Sequence, residues 1–436
     1  MRIALISPRG SFFGKNEEFY DFWESSVDSK AYRDRWSGVS SGLLIVAALT
    51  PPAYQIDFID DNVDTIDLTA PYDLVGISGI TQQAPRAYEI ADEFRKKGIT
   101  VVMGGIHATV LPQEAKEHSD SVVVGEAEHV WPILIDDFGK GLLKPYYRSE
   151  RPVDLKDSPI PRYDLLDKDK YRIFWVQTTR GCPHDCEFCA ASKIYGSRYR
   201  TKGIAQVVKE IEAIKGHVGD FRLYFADDNL FVNKRFYLPL LEKLAQLGMR
   251  WMAQTDITIA RNKELLEMLR RSGCIFLFIG LESLTEEGLR SIDKHGWKLK
   301  HLHRYSDYVQ NIQQHGIGVQ GAFIVGLDSD DASIFDRVID FVTANHLYGV
   351  QVTILTPLPG TRLRERLERE NRILSNDWGN YTGWDVNFVP KGMTAKQLQR
   401  GLVTVYRAVT SREVFLKNMK YFKQIERNLL QKDLSG

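Results

Sequence analysis

The sequence of 436 residues has no net charge and no long hydrophobic run. Its longest apolar runs, at 43–49 and 275–281, are about a third of the ~20 residues that a membrane-spanning helix needs. The apolar stretch near residue 1 is too short for a secretory signal, so we expect a cytoplasmic protein without a transmembrane segment. Because 57 basic residues balance 57 acidic ones, no overall field attracts nucleic acid, and no nucleic-acid partner is expected.

Cysteine is also scarce, and its distribution is uneven. There are four cysteines, three of which fall within eight residues. Disulfide scaffolds spread their cysteines along the chain, so this clustering indicates a metal site instead. Hydrophobic residues make up 43% and charged residues 26%, which is typical of a globular protein, and the length favours two or three domains.

Alternating strand and helix patterns divide the chain into four parts. Residues 1–145 contain five short apolar strands separated by helical patterns, which predicts an open, doubly wound parallel sheet of the flavodoxin-like type. Prolines interleaved with charges predict a linker at 146–170. Residues 171–365 contain six further strand–helix units, fewer than the eight of a complete barrel, so we expect a partial, open β/α barrel. Residues 366–436 are predicted to be mainly helical.

The clustered cysteines are Cys182, Cys186 and Cys189. Pro183 prevents a regular helix here, so the three thiols must lie on a compact loop. This loop follows the first predicted barrel strand, at the end where β/α barrels place their chemistry. Three thiolates hold three irons of a 4Fe–4S cluster and leave the fourth iron open for a substrate. The alternative is structural zinc with His184 as fourth ligand, although zinc ligands usually come in two separated pairs. The fourth cysteine, Cys274, is expected to be a buried strand residue.

The Cys-x3-Cys-x2-Cys spacing, an aromatic residue before the last cysteine and the position after a barrel strand resemble the radical S-adenosylmethionine (SAM) enzymes. The flavodoxin-like domain before the barrel is similar to the subgroup with a cobalamin-binding-type domain. This resemblance implies that the open iron chelates SAM and that one electron cleaves SAM to a 5′-deoxyadenosyl radical. It therefore implies a 4Fe–4S cluster, SAM and cobalamin as cofactors.

The resemblance also implies roles for residues at the ends of the barrel strands. Asp227 or Asp228 would hold the SAM ammonium group, although an Asp-Asp-Asn turn that caps the next helix is the alternative. Glu282 and Ser283 would contact the ribose or carboxylate, while Ser283 could also form a helix capping box. The full set that the resemblance places around SAM is Phe188, Asp227, Asp228, Gln254, Glu282, Ser283, Ile324, Val325, Thr356 and Leu358, where Ile324 or Val325 would pack on the adenine.

In the first domain the resemblance places a cobalamin site at the carboxyl ends of the strands. The residues concerned are Ser78, Gly104, Gly105, His107, Gly125 and Glu126, where the glycines allow close approach of a ligand. His107 either meets the corrin or orders its own loop. The segment 60–65, where methyltransferase cobalamin domains often carry Asp-x-His-x-x-Gly, has no histidine. This excludes histidine ligation from that loop but not cobalamin binding.

Residues 11–37 form an aromatic insertion after the first strand, with Phe12, Phe13, Phe19, Tyr20, Phe22, Trp23, Tyr32 and Trp36. Such loops usually have two to six residues, so this insertion either walls a large flat ligand or an apolar substrate, or forms a local mini-core.

Three functions are compatible with the sequence. The first is cobalamin-dependent methylation of an unactivated carbon in a small-molecule or lipid-like substrate. The second is radical cyclisation or rearrangement of a tetrapyrrole, lipid or natural product. The third function is not enzymatic: a non-catalytic binding module that is stabilised by a structural zinc ion. Radical chemistry implies a reducing partner such as flavodoxin or ferredoxin.

Overall fold

The computed structural model describes residues 1–10, 16–25, 38, 41–171 and 173–435. Within these residues, two six-stranded parallel sheets dominate the architecture. Helices cover both sheets, and a helical region follows the second sheet. The α/β class predicted from the alternating patterns is therefore confirmed.

The first sheet has the strand order β2-β1-β3-β4-β5-β6, with every pairing parallel. Its order 2-1-3-4-5 is that of flavodoxin-like folds, as predicted. Its strands are β1 (Arg2–Ser7), β2 (Gln55–Asp60), β3 (Leu74–Ser78), β4 (Thr100–Gly104), β5 (Ser121–Val124) and β6 (Tyr146–Arg148). Its helices are α1 (Glu17–Glu24), α2 (Ser41–Leu49), α3 (Ala84–Lys96), α4 (Gly105–Val110), α5 (Pro112–Glu117) and α6 (Trp131–Gly139).

Strand β6 lies inside the segment predicted as a linker. It pairs with β5 and buries Tyr147, which is 5% exposed. Three residues are too few to show an alternating pattern, so the sequence gives no strand signal there. The predicted boundaries of the four parts of the chain remain predictions.

The second sheet is a half-barrel with the order β14-β13-β12-β11-β10-β7, again entirely parallel. Its strands are β7 (Ile173–Val176), β10 (Arg222–Phe225), β11 (Arg250–Thr255), β12 (Cys274–Glu282), β13 (Gly318–Val325) and β14 (Gly349–Ile354), and a small antiparallel pair is formed by β8 (Thr179–Arg180) and β9 (Arg200–Thr201). The helices are α7 (Ala191–Tyr195), α8 (Ile204–Val218), α9 (Lys234–Leu247), α10 (Lys263–Arg271), α11 (Glu286–Ile292), α12 (Tyr305–Gln314) and α13 (Ser333–Ala344).

Side chains alternate between the two faces of the half-barrel, because successive residues of a strand point to opposite sides. On β13, Phe323 is buried on the outer face against Phe341 of α13, with ring centroids 5.9 Å apart. The neighbouring Ile324 therefore points into the half-barrel. On β7 and β10, Trp175 and Tyr224 are half-buried and lie 5.8 Å apart.

The helical region comprises α14 (Arg362–Arg369), α15 (Ala395–Val409) and α16 (Arg412–Ser435). The described part of the aromatic insertion docks on this region, because the Phe19 ring lies 5.1 Å from Tyr406 of α15 and 6.0 Å from Trp384. The described part of the insertion thus packs against a distant part of the chain, and the role of the whole insertion stays a prediction. Phe12, Phe13, Tyr32 and Trp36 lie outside the described residues. In the described part of the chain, no helix combines the length and apolarity needed to cross a membrane.

Candidate active site

The cysteine loop starts directly after β8, at the carboxyl end of the half-barrel. Gly181 has a φ of 92°, and a Cβ there would lie 2.4 Å from the Arg198 carbonyl oxygen, so this position requires glycine. Two backbone contacts hold the middle of the loop: Cys186 forms an antiparallel bridge with Asp293, and the Glu187 amide donates to Ile292. The loop is therefore fixed against the turn that follows α11.

The three thiols lie close enough to affect one another electrostatically. Burial raises the pKa of Cys182 to about 11 and that of Cys186 to about 12, and the neighbouring thiols contribute to both increases. The Lys298 ammonium opposes this effect at both thiols. Asp228 also faces Cys182, and Glu282 faces Cys186. The three thiols, the carboxylates of Asp228 and Glu282 and the Lys298 ammonium therefore form one group of side chains that affect one another electrostatically.

The zinc alternative finds no support in this geometry. Over the described ranges, no three or more His, Cys, Asp or Glu side chains are placed to hold one metal ion. The proposed fourth ligand, His184, instead packs on Trp297 with ring centroids 4.4 Å apart, and its Nε2 lies 3.7 Å from Asp256 Oδ2. Ligands of an iron–sulfur cubane are spread over its corners, so they do not converge as zinc ligands do.

The two aspartates after β10 have different environments. The Asp227 carboxylate is fully buried and accepts hydrogen bonds from the amides of Thr178 and Thr179 and from the Thr178 hydroxyl. Burial raises its pKa to about 7, although these hydrogen bonds oppose the shift. Asp228 Oδ2 is buried and has no hydrogen-bond partner among the described residues. Asp227 therefore braces the segment before the cysteines, whereas Asp228 keeps an oxygen without a partner among the described residues.

Glu282 has an unusual backbone conformation at the end of β12. Its φ is 66°, and the register with β13 shifts between Gly280 and Glu282. This bulge turns the carboxylate toward Lys298, whose Nζ lies 3.1 Å from Oε1 and 2.8 Å from the Gly280 carbonyl oxygen. Burial lowers the pKa of Lys298, but the combined effect of Glu282, Cys186 and Tyr305 is larger and raises that pKa overall.

The capping box predicted at Ser283 is wrong. Helix α11 begins at Glu286, and its N-cap is Thr285, whose hydroxyl accepts from the Gly288 amide at 3.1 Å. Ser283 is buried and accepts from the Thr285 amide at 3.2 Å. The N-cap is therefore two residues later than the predicted Ser283. Ser283 does not cap the helix but accepts a hydrogen bond from the residue that does.

The remaining predicted SAM residues lie along the same mouth of the half-barrel. Of the two adenine candidates, Val325 is completely buried on the outer face and Ile324 points inward. Gln254 is half-buried beside Tyr224, with which it shares a hydrogen bond. Phe188, Thr356 and Leu358 are half-buried.

A cavity opens between the first sheet and the cysteine loop, with ≈ 830 Å³ of space free of protein atoms, part of which is open to solvent. Ser78, Gly104, Gly105, Gly125 and Glu126 all line it, as predicted for a ligand at this edge. Gly105 has a φ of 87°, and a Cβ there would lie 2.5 Å from Ser78 Oγ.

His107 does not line the cavity. Its Nε2 lies 3.0 Å from the Tyr88 hydroxyl and 3.3 Å from Glu114 Oε1, and its ring lies 5.5 Å from Trp378 of the helical region. Glu114 Oε1 also accepts from Trp378 Nε1 at 2.8 Å. Of the two roles considered for His107, ordering its own surroundings therefore fits the structure.

The cavity and the cysteine loop are joined by a buried ion-pair network. Arg180, two residues before Cys182, contacts Glu126 Oε1 at 2.6 Å and Glu128 Oε1 at 2.7 Å. Arg200 contacts Glu126 Oε2 at 2.9 Å. Arg180, Glu126 and Glu128 are each 7% exposed in their side chains. This ion-pair network therefore forms a wall that the cavity and the cysteine loop share.

Comparison with known proteins agrees with this two-part arrangement. Residues 38–135 match the sequence model of the B12 binding domain, residues 176–342 that of the radical SAM superfamily and residues 361–434 that of a domain of unknown function, DUF4070. The chain is 32% identical over 387 residues to the bacteriochlorophyllide d C-12(1)-methyltransferase of Chlorobaculum tepidum, covering 87% of this chain and 84% of that protein. The chain belongs to the radical SAM superfamily.

Two further similarities cover most of the chain. The bacteriochlorophyllide d C-8(2)-methyltransferase of Chlorobaculum tepidum is 31% identical over 352 residues, which are 77% of this chain and 78% of that protein. The fold is shared with the radical SAM methyltransferase TsrM from Kitasatospora setae, in a structure with cobalamin and a 4Fe–4S cluster bound. That similarity has a TM-score of 0.62 at 15% identity and covers 85% of this chain and 78% of the other.

The radical SAM domain implies a 4Fe–4S cluster and SAM, and the B12-binding domain supports cobalamin. The residues present fit both sites. Three thiols share one loop, and Asp228, which has an unpartnered buried oxygen, is near enough to Cys182 to raise the pKa of its thiol. The cavity beside β3, β4 and β5 is lined by Gly104, Gly105 and Gly125, whose lack of side chains leaves room for a large cofactor at this edge.

Sequence reasoning missed Lys298 and the full role of Arg180. Lys298 lies 16 residues after Glu282 on an irregular segment, and no motif marks it. Arg180 lies two residues before Cys182 in the sequence, but its partners are 54 and 52 residues away in the chain. The closely spaced acids Glu126 and Glu128 were the available signal, since buried acids need a cationic partner.

Proposed function

We propose that the chain is a cobalamin-dependent radical SAM enzyme that methylates an unactivated carbon of a small molecule. The observation that carries this proposal is that Arg180 and Tyr195, which flank the cysteine loop, also line the cavity of the first domain. A methyl carrier in that cavity and SAM at the half-barrel mouth would then face the same substrate.

The bound groups would supply the chemistry: the cluster an electron to cleave SAM, and cobalamin a transferable methyl group. The protein residues would bind and orient. The free Asp228 carboxylate would hold the SAM ammonium group, since a buried charge needs an opposite partner. Glu282 and Lys298 would contact the methionine part of SAM at the end away from its ammonium group. Ile324 would pack on the adenine from inside the half-barrel.

The substrate class that we propose first is a flat tetrapyrrole. Two relatives above 30% identity are named as acting on bacteriochlorophyllides. The half-barrel interior offers Trp175 and Tyr224 as half-buried aromatic faces. Aromatic side chains suit a large planar ligand because they provide apolar area and stacking geometry. A lipid-like substrate is the second class to test.

The test is anaerobic reconstitution with iron, sulfide and cobalamin, followed by incubation with dithionite as reductant, tetrapyrrole substrates and SAM carrying a deuterated methyl group. We expect 5′-deoxyadenosine and a product in which a CD3 group replaces one hydrogen. The alternative, radical cyclisation or rearrangement, produces 5′-deoxyadenosine without any added label. A cytoplasmic location and a protein reductant such as flavodoxin or ferredoxin belong to the same proposal.

A further inference from the structure

The segment 293–304 lies directly on the cysteine loop. Asp293 forms the backbone bridge with Cys186, and Ile292 accepts from the Glu187 amide at 3.1 Å. The buried Asp293 carboxylate accepts from the amides of His295 at 3.1 Å and Lys298 at 2.7 Å. These bonds fold the segment into a compact turn, so its outward side chains occupy a fixed position beside the cysteine loop.

The outward side chains of this segment are strongly basic. Lys294, His295, Lys300, His303 and Arg304 are all exposed, and three of the ten histidines of the chain lie within these twelve residues. The segment has one acidic residue, Asp293, and it is buried. Lys294 and His295 are near enough to the loop to lower the pKa of Asp185, although the Arg362 hydrogen bond is the larger cause.

Two of the acidic groups next to this surface are already paired, whereas Glu287 and Asp307 are exposed and offset part of its positive charge. Asp185 contacts Arg362 Nη1, and Glu286 contacts Arg290 Nη2 at 2.6 Å. The whole chain is neutral, so this surface is a local excess of positive charge beside the cysteine loop. Such an excess attracts an acidic partner over distances of about one Debye length, ~8 Å at physiological salt.

An aromatic contact connects this surface to the loop interior. Trp297 is half-buried and packs on His184, which lies between Cys182 and Cys186 in the sequence. On its other side, Trp297 lies 5.2 Å from the half-buried His301 ring. Large aromatic groups at the centre of a charged rim are typical of the cores of protein interfaces.

We propose that segment 293–304 is the docking surface for an acidic one-electron carrier protein. The inference rests on the proposed function, since only a redox-active cluster needs such a partner. In the step concerned, the reduced carrier loses one electron and the cluster gains it. No bond is formed or broken, and no proton is transferred. The basic side chains hold the carrier, and Trp297 with His184 fills the gap between the carrier and the loop.

The experiment measures the binding of oxidised flavodoxin to the reconstituted protein, so that no turnover is needed. The variant is the charge reversal Lys294→Glu with Lys300→Glu. The matched control is Lys420→Glu with Lys423→Glu, two exposed lysines on α16. We expect the first pair to raise the Kd at least about tenfold and the control pair to leave it within about twofold. Raising the salt concentration should weaken binding to the wild type and should have less effect on the first variant.

A second measurement separates this inference from the proposed function. Dithionite reduces the cluster without docking, so SAM cleavage driven by dithionite should be equal in the wild type and both variants. Cleavage driven by reduced flavodoxin should fall only in the Lys294→Glu, Lys300→Glu protein. Unchanged flavodoxin binding in that variant overturns the docking surface. Absence of SAM cleavage with dithionite in the wild type contradicts the proposed function itself.

Discussion

The hydroxyl of Tyr171 donates to Asp60 Oδ2 at 3.2 Å, linking the start of the half-barrel to the end of β2. Four residues on from Asp60, Asp64 Oδ1 contacts Lys170 Nζ at 2.5 Å. The segment 60–65 is therefore held against the half-barrel. In related cobalamin domains this segment can carry a histidine that coordinates the lower face of the cobalt. Here the corresponding position is Asn62.

This relationship predicts the lower coordination of a bound cobalamin. Within the described residues, no histidine lines the cavity, and His107 is turned toward Tyr88 and Glu114. We expect the electron paramagnetic resonance spectrum of the cob(II)alamin form to lack nitrogen superhyperfine splitting from a protein imidazole. Splitting of the imidazole type would contradict the prediction. The variant His107→Ala would then show whether that histidine is its source.

The cysteine loop predicts a selective loss of iron. Replacement of Cys182, Cys186 and Cys189 by Ala should remove iron binding and SAM cleavage. Cys274→Ala is the control, since Cys274 is buried at the start of β12, and it should keep the cluster. The measurement is iron and sulfide content with the visible absorption spectrum after anaerobic reconstitution. Stoichiometric zinc without iron in the wild type would refute the assignment.

The two aspartates after β10 should respond differently to the same change. Asp228→Asn should weaken SAM binding about tenfold or more, because a charged contact is lost, while the cluster spectrum is unchanged. Asp227→Asn replaces one acceptor oxygen by a donor that faces two backbone amides. It should therefore lower the free energy of unfolding by ~1–3 kcal/mol. SAM titration and thermal unfolding separate the two effects, and wild-type SAM affinity in Asp228→Asn would remove this residue from the site.

The buried network at the shared wall should be sensitive to loss of one charge. Glu126→Gln leaves Arg180 and Arg200 with one carboxylate fewer, and removing one partner of a buried pair costs ~3–5 kcal/mol. We expect a lower melting temperature and reduced retention of cobalamin. The control is Asp136→Asn, which breaks the exposed pair with Lys140 and should cost at most ~1 kcal/mol. Equal effects of the two substitutions would show that the network is not important for stability.

The strands could be predicted because both sheets are parallel and buried, which produces short apolar runs between helical patterns. The five strands predicted in 1–145 correspond to β1–β5, and the six predicted in 171–365 correspond to β7 and β10–β14. The cysteine spacing likewise identified the loop, since ligands within eight residues need no tertiary information to be brought together.

The α/β architecture, the cysteine loop and the strand ends that surround it therefore follow from residue patterns along the chain. Which of two adjacent aspartates is free depends on folding, because it is set by where the Thr178 and Thr179 amides lie. Folding also brought Lys298 to Glu282 and Arg180 to Glu126, and it turned His107 away from the cavity. These are contacts between side chains on separate elements, whose distances are fixed by packing and not by spacing along the chain.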